Sequence, residues 1–199
     1  MKIYLIRHAL SLANDRGVWT GQLDVDLSLS GIKRQKEIME RFSYPEGELY
    51  FSSPLLRCVN SMYLIYGRSA DFLLPELSEC ALGKLEGQPY TNLNDDVNYL
   101  DWLNQPYKSP PDGESFCHFT ERVENGFMRV VSISNDAGAQ KIVAMMHGNV
   151  MRAVLHRFAE NSIPHSAWKI PNGGLYCLDI PLRDGKISSW RQMPDFLFK

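Results

Sequence analysis

Four residues in this chain carry side chains suited to holding and attacking a phosphorus centre, and each falls where a regular element begins or ends. Arg7 and His8 follow the short apolar run from Lys2 to Ile6, and His147 follows a second run from Ile142 to Met146. Arg57 falls in the first turn of a helix expected to follow a strand. A guanidinium meets phosphate oxygens with parallel hydrogen bonds, and a helix N-terminus adds unsatisfied N–H groups. An imidazole can serve as nucleophile or proton carrier. Brought to one edge of a sheet, two arginines and two histidines would form a phosphate pocket. Singly, each has a structural alternative: an Arg-His pair after a strand, a hydrogen-bonded histidine at a strand end, an arginine on a helix surface.

Metal binding is the competing use of several histidines. His147, His156 and His165 are nine residues apart, which on a helix places successive members on opposite faces. The His-x-x-x-His spacing of zinc enzymes is absent. No metal site is expected, and His118, His156 and His165 read as surface or locally bonded residues. Cys58, Cys80, Cys117 and Cys177 are scattered, with no Cys-x-x-Cys pair, and read as free thiols of a reducing cytosol.

The elements that must position these residues alternate. A strand is expected over 2–6, a polar connection over 9–27, and a helix over 31–42 capped by Ser28, where Ile32, Ile38, Met39 and Phe42 share a broad apolar face. A weak strand over 48–51 leads into Ser52-Ser53-Pro54, which has the form of an N-cap with proline at the first helical position. A short strand over 72–74 precedes an irregular stretch over 75–111, in which Leu93, Val97 and Leu100 suggest one short helix. Phe116, Phe119, Val123, Phe127 and Val130 recur at spacings of three and four, marking the strongest amphipathic helix, over 114–134. A strand over 142–146, a helix over 150–158 and two strands over 175–180 and 187–192, antiparallel across Asp184-Gly185, complete the chain. This alternation predicts an α/β fold with a mostly parallel central sheet and helices on both faces, whose ligands bind at the carboxyl ends of the strands.

With 199 residues against about 150 per domain, a single domain over 1–199 is expected. Hydrophobic residues make up 44%, charged residues 22%, and the formal net charge is −2, the balance of an ordinary globular protein. No basic stripe points to nucleic acid, no apolar run approaches the roughly 18 residues of a membrane span, and Arg7 and His8 interrupt the apolar start before a signal-peptide core could form. A cytoplasmic location is expected; composition says nothing of oligomeric state.

In order along the chain, Leu5-Ile6-Arg7-His8-Ala9 with Asn14, Gly21-Gln22-Leu23-Asp24, Leu27-Ser28-x-x-Gly31, Ser52-Ser53-Pro54-Leu55-x-Arg57, Leu77-x-Glu79 with Leu85-Glu86-Gly87, Pro111-x-Gly113-Glu114-Ser115 and Met146-His147-Gly148 resemble the histidine phosphatase superfamily in its phosphoglycerate mutase-like branch. The resemblance covers about three quarters of the chain. It implies a phosphomonoesterase acting on a small phosphorylated substrate, with no cofactor and no metal. His8 would attack phosphorus, Arg7 and Arg57 would hold the phosphoryl oxygens, His147 would add a donor or positive charge, and Glu79 would protonate the leaving oxygen. Phosphoryl transfer asks mainly for positioning and charge stabilisation, which such a cluster can supply.

Glu76 and Glu86 are rivals of Glu79 that sequence does not separate. Asn14, Gly21 and Gln22 are expected to complete the substrate pocket, with loop hydrogen bonding as their alternative. A lid-like insertion is expected over 84–113, where Tyr90, Tyr99, Trp102 and Tyr107 would either cover the site or pack. The form of the chain is most similar to the α-ribazole phosphatases, so α-ribazole 5′-phosphate is the candidate substrate. Phosphoglycerate mutase-type transfer and a non-catalytic phosphate-ligand sensor are the alternatives. One departure stands out: the family has Arg-His-Gly, and this chain has Ala9. Its methyl is expected to be accommodated by a small shift of the loop, with a strain cost if the position requires a positive φ.

Overall fold

The computed structural model describes residues 1–90, 108–158, 163–180 and 189–193. The candidate helix around Leu93 to Leu100, Tyr99, Trp102 and Tyr107, and the Asp184-Gly185 turn lie outside the described residues.

Six strands form one sheet in the order β3-β2-β4-β1-β5-β6: β1 (Lys2–Arg7), β2 (Leu49–Ser52), β3 (Phe72–Leu73), β4 (Lys141–Met146), β5 (Leu175–Asp179) and β6 (Ser189–Met193). The first four are parallel neighbours, and β5 pairs antiparallel with both β1 and β6. Among the described residues the α-helices are α1 (Leu12–Asp15), α2 (Leu29–Arg41), α3 (Leu56–Tyr66), α4 (Phe116–Asp136) and α5 (Gly148–Phe158).

Successive side chains of a strand point to opposite faces, and here each central strand is apolar on both. In β1, Ile3 and Leu5 enter one core while Tyr4 and Ile6 enter the other; in β4, Ile142, Ala144 and Met146 take the first face and Val143 and Met145 the second. The first core is completed by Phe119, Val123, Phe127 and Val130 of α4 and by Val150, Met151 and Val154 of α5. Ile38 of α2 and Cys58 and Met62 of α3 cover the second. Unbroken apolar runs in the sequence therefore mark strands buried on both faces. No helix among the described residues is long and apolar enough to cross a membrane.

Three local expectations are corrected. The stretch 9–27 contains α1, a four-residue helix closed by a capping box between Ser11 and Asn14. It is too short and too polar to show periodicity. Helix α2 starts at Leu29, before Gly31, because Ser28 caps it through the Gly31 amide. At α3 the N-cap is Leu55, with no side-chain cap from Ser52 or Ser53. The free amide of Leu56 instead donates to Asp24 Oδ1 at 2.7 Å, a cap supplied from 32 residues away.

Candidate active site

Parallel strands β2, β4 and β1 lie side by side with Arg7 opposite Met146 and Ser52 opposite Met145, so the residues that follow them emerge together. Ser53 donates its amide to the Met145 carbonyl and His8 donates its amide to the Met146 carbonyl, both at 3.0 Å. His8 and His147 thereby meet edge to face, with ring centroids 5.1 Å apart and planes at 64°. The Gly173 amide donates to the carbonyls of Arg7 and His8, and Asn172 Nδ2 donates to the His8 carbonyl at 3.1 Å. The His8 backbone is thus held from both sides.

His8 is 3% exposed, and its Nδ1 lies 2.6 Å from the Ala9 carbonyl. A carbonyl only accepts, so Nδ1 carries the proton and Nε2 keeps its lone pair. Burial first, then the Arg7 and Arg57 guanidinia, hold the His8 pKa well below 6.5, so the ring is neutral at physiological pH. That is the form in which an imidazole attacks.

Arg57 is fully buried at the start of α3. Its Nη1 and Nη2 donate to the carbonyls of Leu23 and Gly21 at 2.8 and 2.7 Å, and its Nε donates to His147 Nδ1 at 3.3 Å. Two of its five N–H groups are left for an anion. Burial lowers its pKa, offset by Cys58, Glu79, Asp24 and Glu86. Arg7 donates Nη1 to the Ile170 carbonyl, while its buried Nε has no hydrogen-bond partner. Burial brings the Arg7 pKa down to about 10, still cationic at neutral pH. Arg7 lines the cavity, so the guanidinium N–H groups it leaves unused there are placed to meet a phosphate oxygen.

His147 is held neutral by burial and by Arg57. With Nδ1 accepting from Arg57, Nε2 bears the proton and donates to Ser53 Oγ at 2.9 Å. In this arrangement the single N–H of His147 is given to Ser53 and the ring carries no charge; an incoming phosphate dianion would raise its pKa.

Arg7, His8, Asn14, Gly21, Arg57 and Glu79 line one cavity of about 360 Å³, and His147 sits immediately behind His8. The three candidate acids separate cleanly. Glu76 pairs with Arg129 away from the cavity. Glu86 is a brace whose Oε1 accepts from the amides of Gln22 and Leu82 at 2.8 and 2.9 Å. Glu79 lines the cavity, its Oε1 accepting from the Cys80 amide at 3.0 Å and its Oε2 from the Asn149 amide at 3.3 Å. Glu114 also lines the cavity but is paired through both oxygens with Arg122 at 2.8 and 2.7 Å.

Gly21 has φ +50°, and a Cβ there would stand 2.1 Å from Glu86 Oε1. Glycine is therefore required for the Glu86 brace and for the carbonyl that receives Arg57. Gln22 does not line the cavity; its side chain donates to the Glu79 carbonyl at 3.1 Å, so it meets the site through the Glu79 backbone. Asn14 lines the cavity while its Oδ1 caps α1. Ala9 is buried and does not line the cavity, and its φ is not in the left-handed region: Asp112 alone among the described non-glycine residues has a positive φ.

The ends of the expected insertion meet where Lys84 donates its amide to the Pro111 carbonyl at 2.9 Å, and residues 91–107 between them lie outside the description. Trp19, Leu82, Tyr90, Pro110, Phe116 and Phe119 give the cavity a large apolar wall. His165, expected to be a surface or locally bonded residue, joins them; no motif spacing in the sequence marks it. Among the described residues no cluster of His, Cys, Asp and Glu could hold a metal ion.

The sequence profile described as the histidine phosphatase superfamily (branch 1) matches residues 3–192. The adenosylcobalamin/alpha-ribazole phosphatase of Escherichia coli is 26% identical over 162 residues, covering 79% of this chain and 78% of that protein. The metal-independent phosphoserine phosphatase of Arabidopsis thaliana is 27% identical over 206 residues, covering 95% and 80%. Among solved structures, a phosphoglycerate mutase of Thermus thermophilus superposes with a TM-score of 0.68 at 28% identity, covering 96% of this chain and 98% of that one.

Proposed function

We propose, from the premise that this chain belongs to the histidine phosphatase superfamily (branch 1) and is a phosphatase, that it hydrolyses a small phosphomonoester through a phosphohistidine on His8. The observation that carries the reading is the His8 ring itself: neutral, with its Nδ1 proton committed to the Ala9 carbonyl and its Nε2 lone pair free beside two guanidinia and a carboxyl.

In the first step Nε2 bonds to phosphorus as the ester P–O bond breaks, and Glu79 gives its proton to the departing oxygen. The Ala9 carbonyl stabilises the positive charge that the imidazole then acquires. Arg7 and Arg57 neutralise the equatorial oxygens, and His147 steadies Arg57 by accepting from its Nε. In the second step water attacks phosphorus, Glu79 takes a proton from it, and inorganic phosphate leaves with the neutral His8 restored. The apolar wall of Trp19, Leu82, Tyr90, Phe116 and Phe119 suits a ring-bearing leaving group better than a small acidic one such as glycerate or serine. This supports α-ribazole 5′-phosphate as the substrate over phosphoglycerate.

Rapid quenching with substrate labelled at phosphorus should trap an acid-labile, base-stable label on His8, absent in His8→Ala. Because arginines supply the charge, turnover should persist in excess EDTA. Label on any other residue overturns the assignment, as does metal-restored activity after chelation.

A further inference from the structure

Arg122 of α4 does not line the cavity, yet it holds the stretch of chain that carries Glu79. Its Nη1 donates to the carbonyls of Glu76 and Ser78 at 2.9 and 3.0 Å, and its Nη2 donates to the Glu79 carbonyl at 3.3 Å. The remaining donors, on Nε and Nη2, meet the two oxygens of Glu114 at 2.8 and 2.7 Å. All five N–H groups of the guanidinium are thus committed within the protein, and none is kept for an anion. Glu114 extends the same scaffold: its amide donates to the Ala81 carbonyl at 2.8 Å, and its Oε2 accepts from the Ala81 amide at 3.4 Å. Gly126 follows Arg122 by one turn of α4, on the same helix face, and a Cβ there would stand 2.6 Å from Glu76 Cβ. The helix therefore lies directly against the stretch from Glu76 to Glu79.

We propose, resting on the phosphatase reading above, that Arg122 is a positioning residue for the proton transfer: together with Glu114 it fixes the backbone from which Glu79 reaches the departing oxygen. The Glu79 carboxyl accepts from the backbone amides of Cys80 and Asn149, so a shift of the chain at residues 76–80 carries the carboxyl with it. Arg122 meets no reacting atom and its charge is matched by Glu114, so what it contributes is geometry. Lysine would keep the charge, but its compact ammonium has three donors and no planar fork, too few for a carboxylate and three carbonyls at once. A misplacement of about 1 Å can cost about 10²-fold in rate. That cost falls on the step that needs the acid, the departure of an alkoxide.

The test measures single-turnover labelling of His8 from ribose 5-phosphate, whose leaving group is an alkoxide, and from p-nitrophenyl phosphate, whose leaving group needs little protonation. Arg122→Lys should slow labelling from ribose 5-phosphate by about 10–100-fold and from p-nitrophenyl phosphate much less. In a Glu79→Gln background the same substitution should add less than about twofold for ribose 5-phosphate, because the group it positions is no longer an acid. Glu114→Gln leaves the three carbonyl bonds of Arg122 in place, so it should show a smaller loss confined to ribose 5-phosphate, and it carries the test if Arg122→Lys does not fold. Equal slowing of both esters, no slowing of either, or losses that multiply with that of Glu79→Gln overturn the assignment while His8 is still labelled, so the phosphatase reading stands. A wild type in which neither ester labels His8 overturns that reading and the assignment with it.

Discussion

Ser61 and Ala9 are joined by a hydrogen bond of 2.8 Å, in which the backbone amide that follows His8 donates to a fully buried helix hydroxyl. The same hydroxyl donates to the Arg57 carbonyl at 2.6 Å. The loop that carries His8 and the helix that carries Arg57 are thereby locked to one another through a single oxygen.

Removing that oxygen leaves the Ala9 amide buried without an acceptor, at a cost of about 1–3 kcal/mol. Ser61→Ala should therefore lower stability by that amount in urea unfolding and slow phosphoenzyme formation at saturating substrate. Ser61→Thr, which keeps the hydroxyl, should restore both. Unchanged stability in Ser61→Ala would show that the bond is dispensable.

Ala9 is buried and free of left-handed strain, so the glycine usual in the family offers no relief here. Ala9→Gly should lower stability by about 0.5–1 kcal/mol, because glycine gives the unfolded chain more freedom, and should leave kcat/KM unchanged. A gain in both melting temperature and kcat/KM would mean that the methyl crowds the phosphate loop after all.

Glu79→Gln should sort substrates by leaving group. General acid assistance contributes about 10²–10⁴-fold, so single-turnover phosphoenzyme formation from an alkyl ester should fall by about that factor. Formation from p-nitrophenyl phosphate should fall much less, since p-nitrophenolate leaves with little help. Glu76→Gln and Glu86→Gln should show no such dependence. Equal slowing for both leaving groups would assign Glu79 to positioning.

The buried histidines predict an acid limit. His8 and His147 have folded pKa values depressed below 6.5 by burial and by Arg7 and Arg57. Below pH 6.5 the unfolded chain takes up protons that the folded chain refuses. Their stabilising contribution is thus complete above about pH 6.5 and falls toward lower pH, by up to about 1.4 kcal/mol per pH unit for each ring. Imidazole NMR should show neither ring titrating between pH 8 and 6, and single-turnover rates with p-nitrophenyl phosphate should be flat over that range. A midpoint near 6.5 for His8 would contradict the neutral nucleophile.

The fold was legible in the sequence because its signals are local. Ile3 to Ile6 and Ile142 to Val143 through Met146 are apolar without a break, which is what strands buried on both faces require, and the spacing from Phe116 to Val130 shows a helix face directly. Strand ends then place Arg7, His8 and His147 on one edge, and the ordered motifs indicate the chemistry. What the tertiary structure decided depends on groups distant in sequence. Asp24 capping α3 and the Gly21 and Leu23 carbonyls orienting Arg57 are approaches across more than thirty residues, invisible to periodicity. Glu76, Glu79 and Glu86 have the same side chain within ten positions, and only the partners each one meets separate an ion pair, a cavity carboxyl and a brace. The free Nε2 of His8 follows from a carbonyl beside its other nitrogen, and the place of His165 from the packing of its turn against α4 and α5. Residue type and spacing determine which chemistry is available; hydrogen-bond partners, which the sequence does not contain, determine which atom performs it.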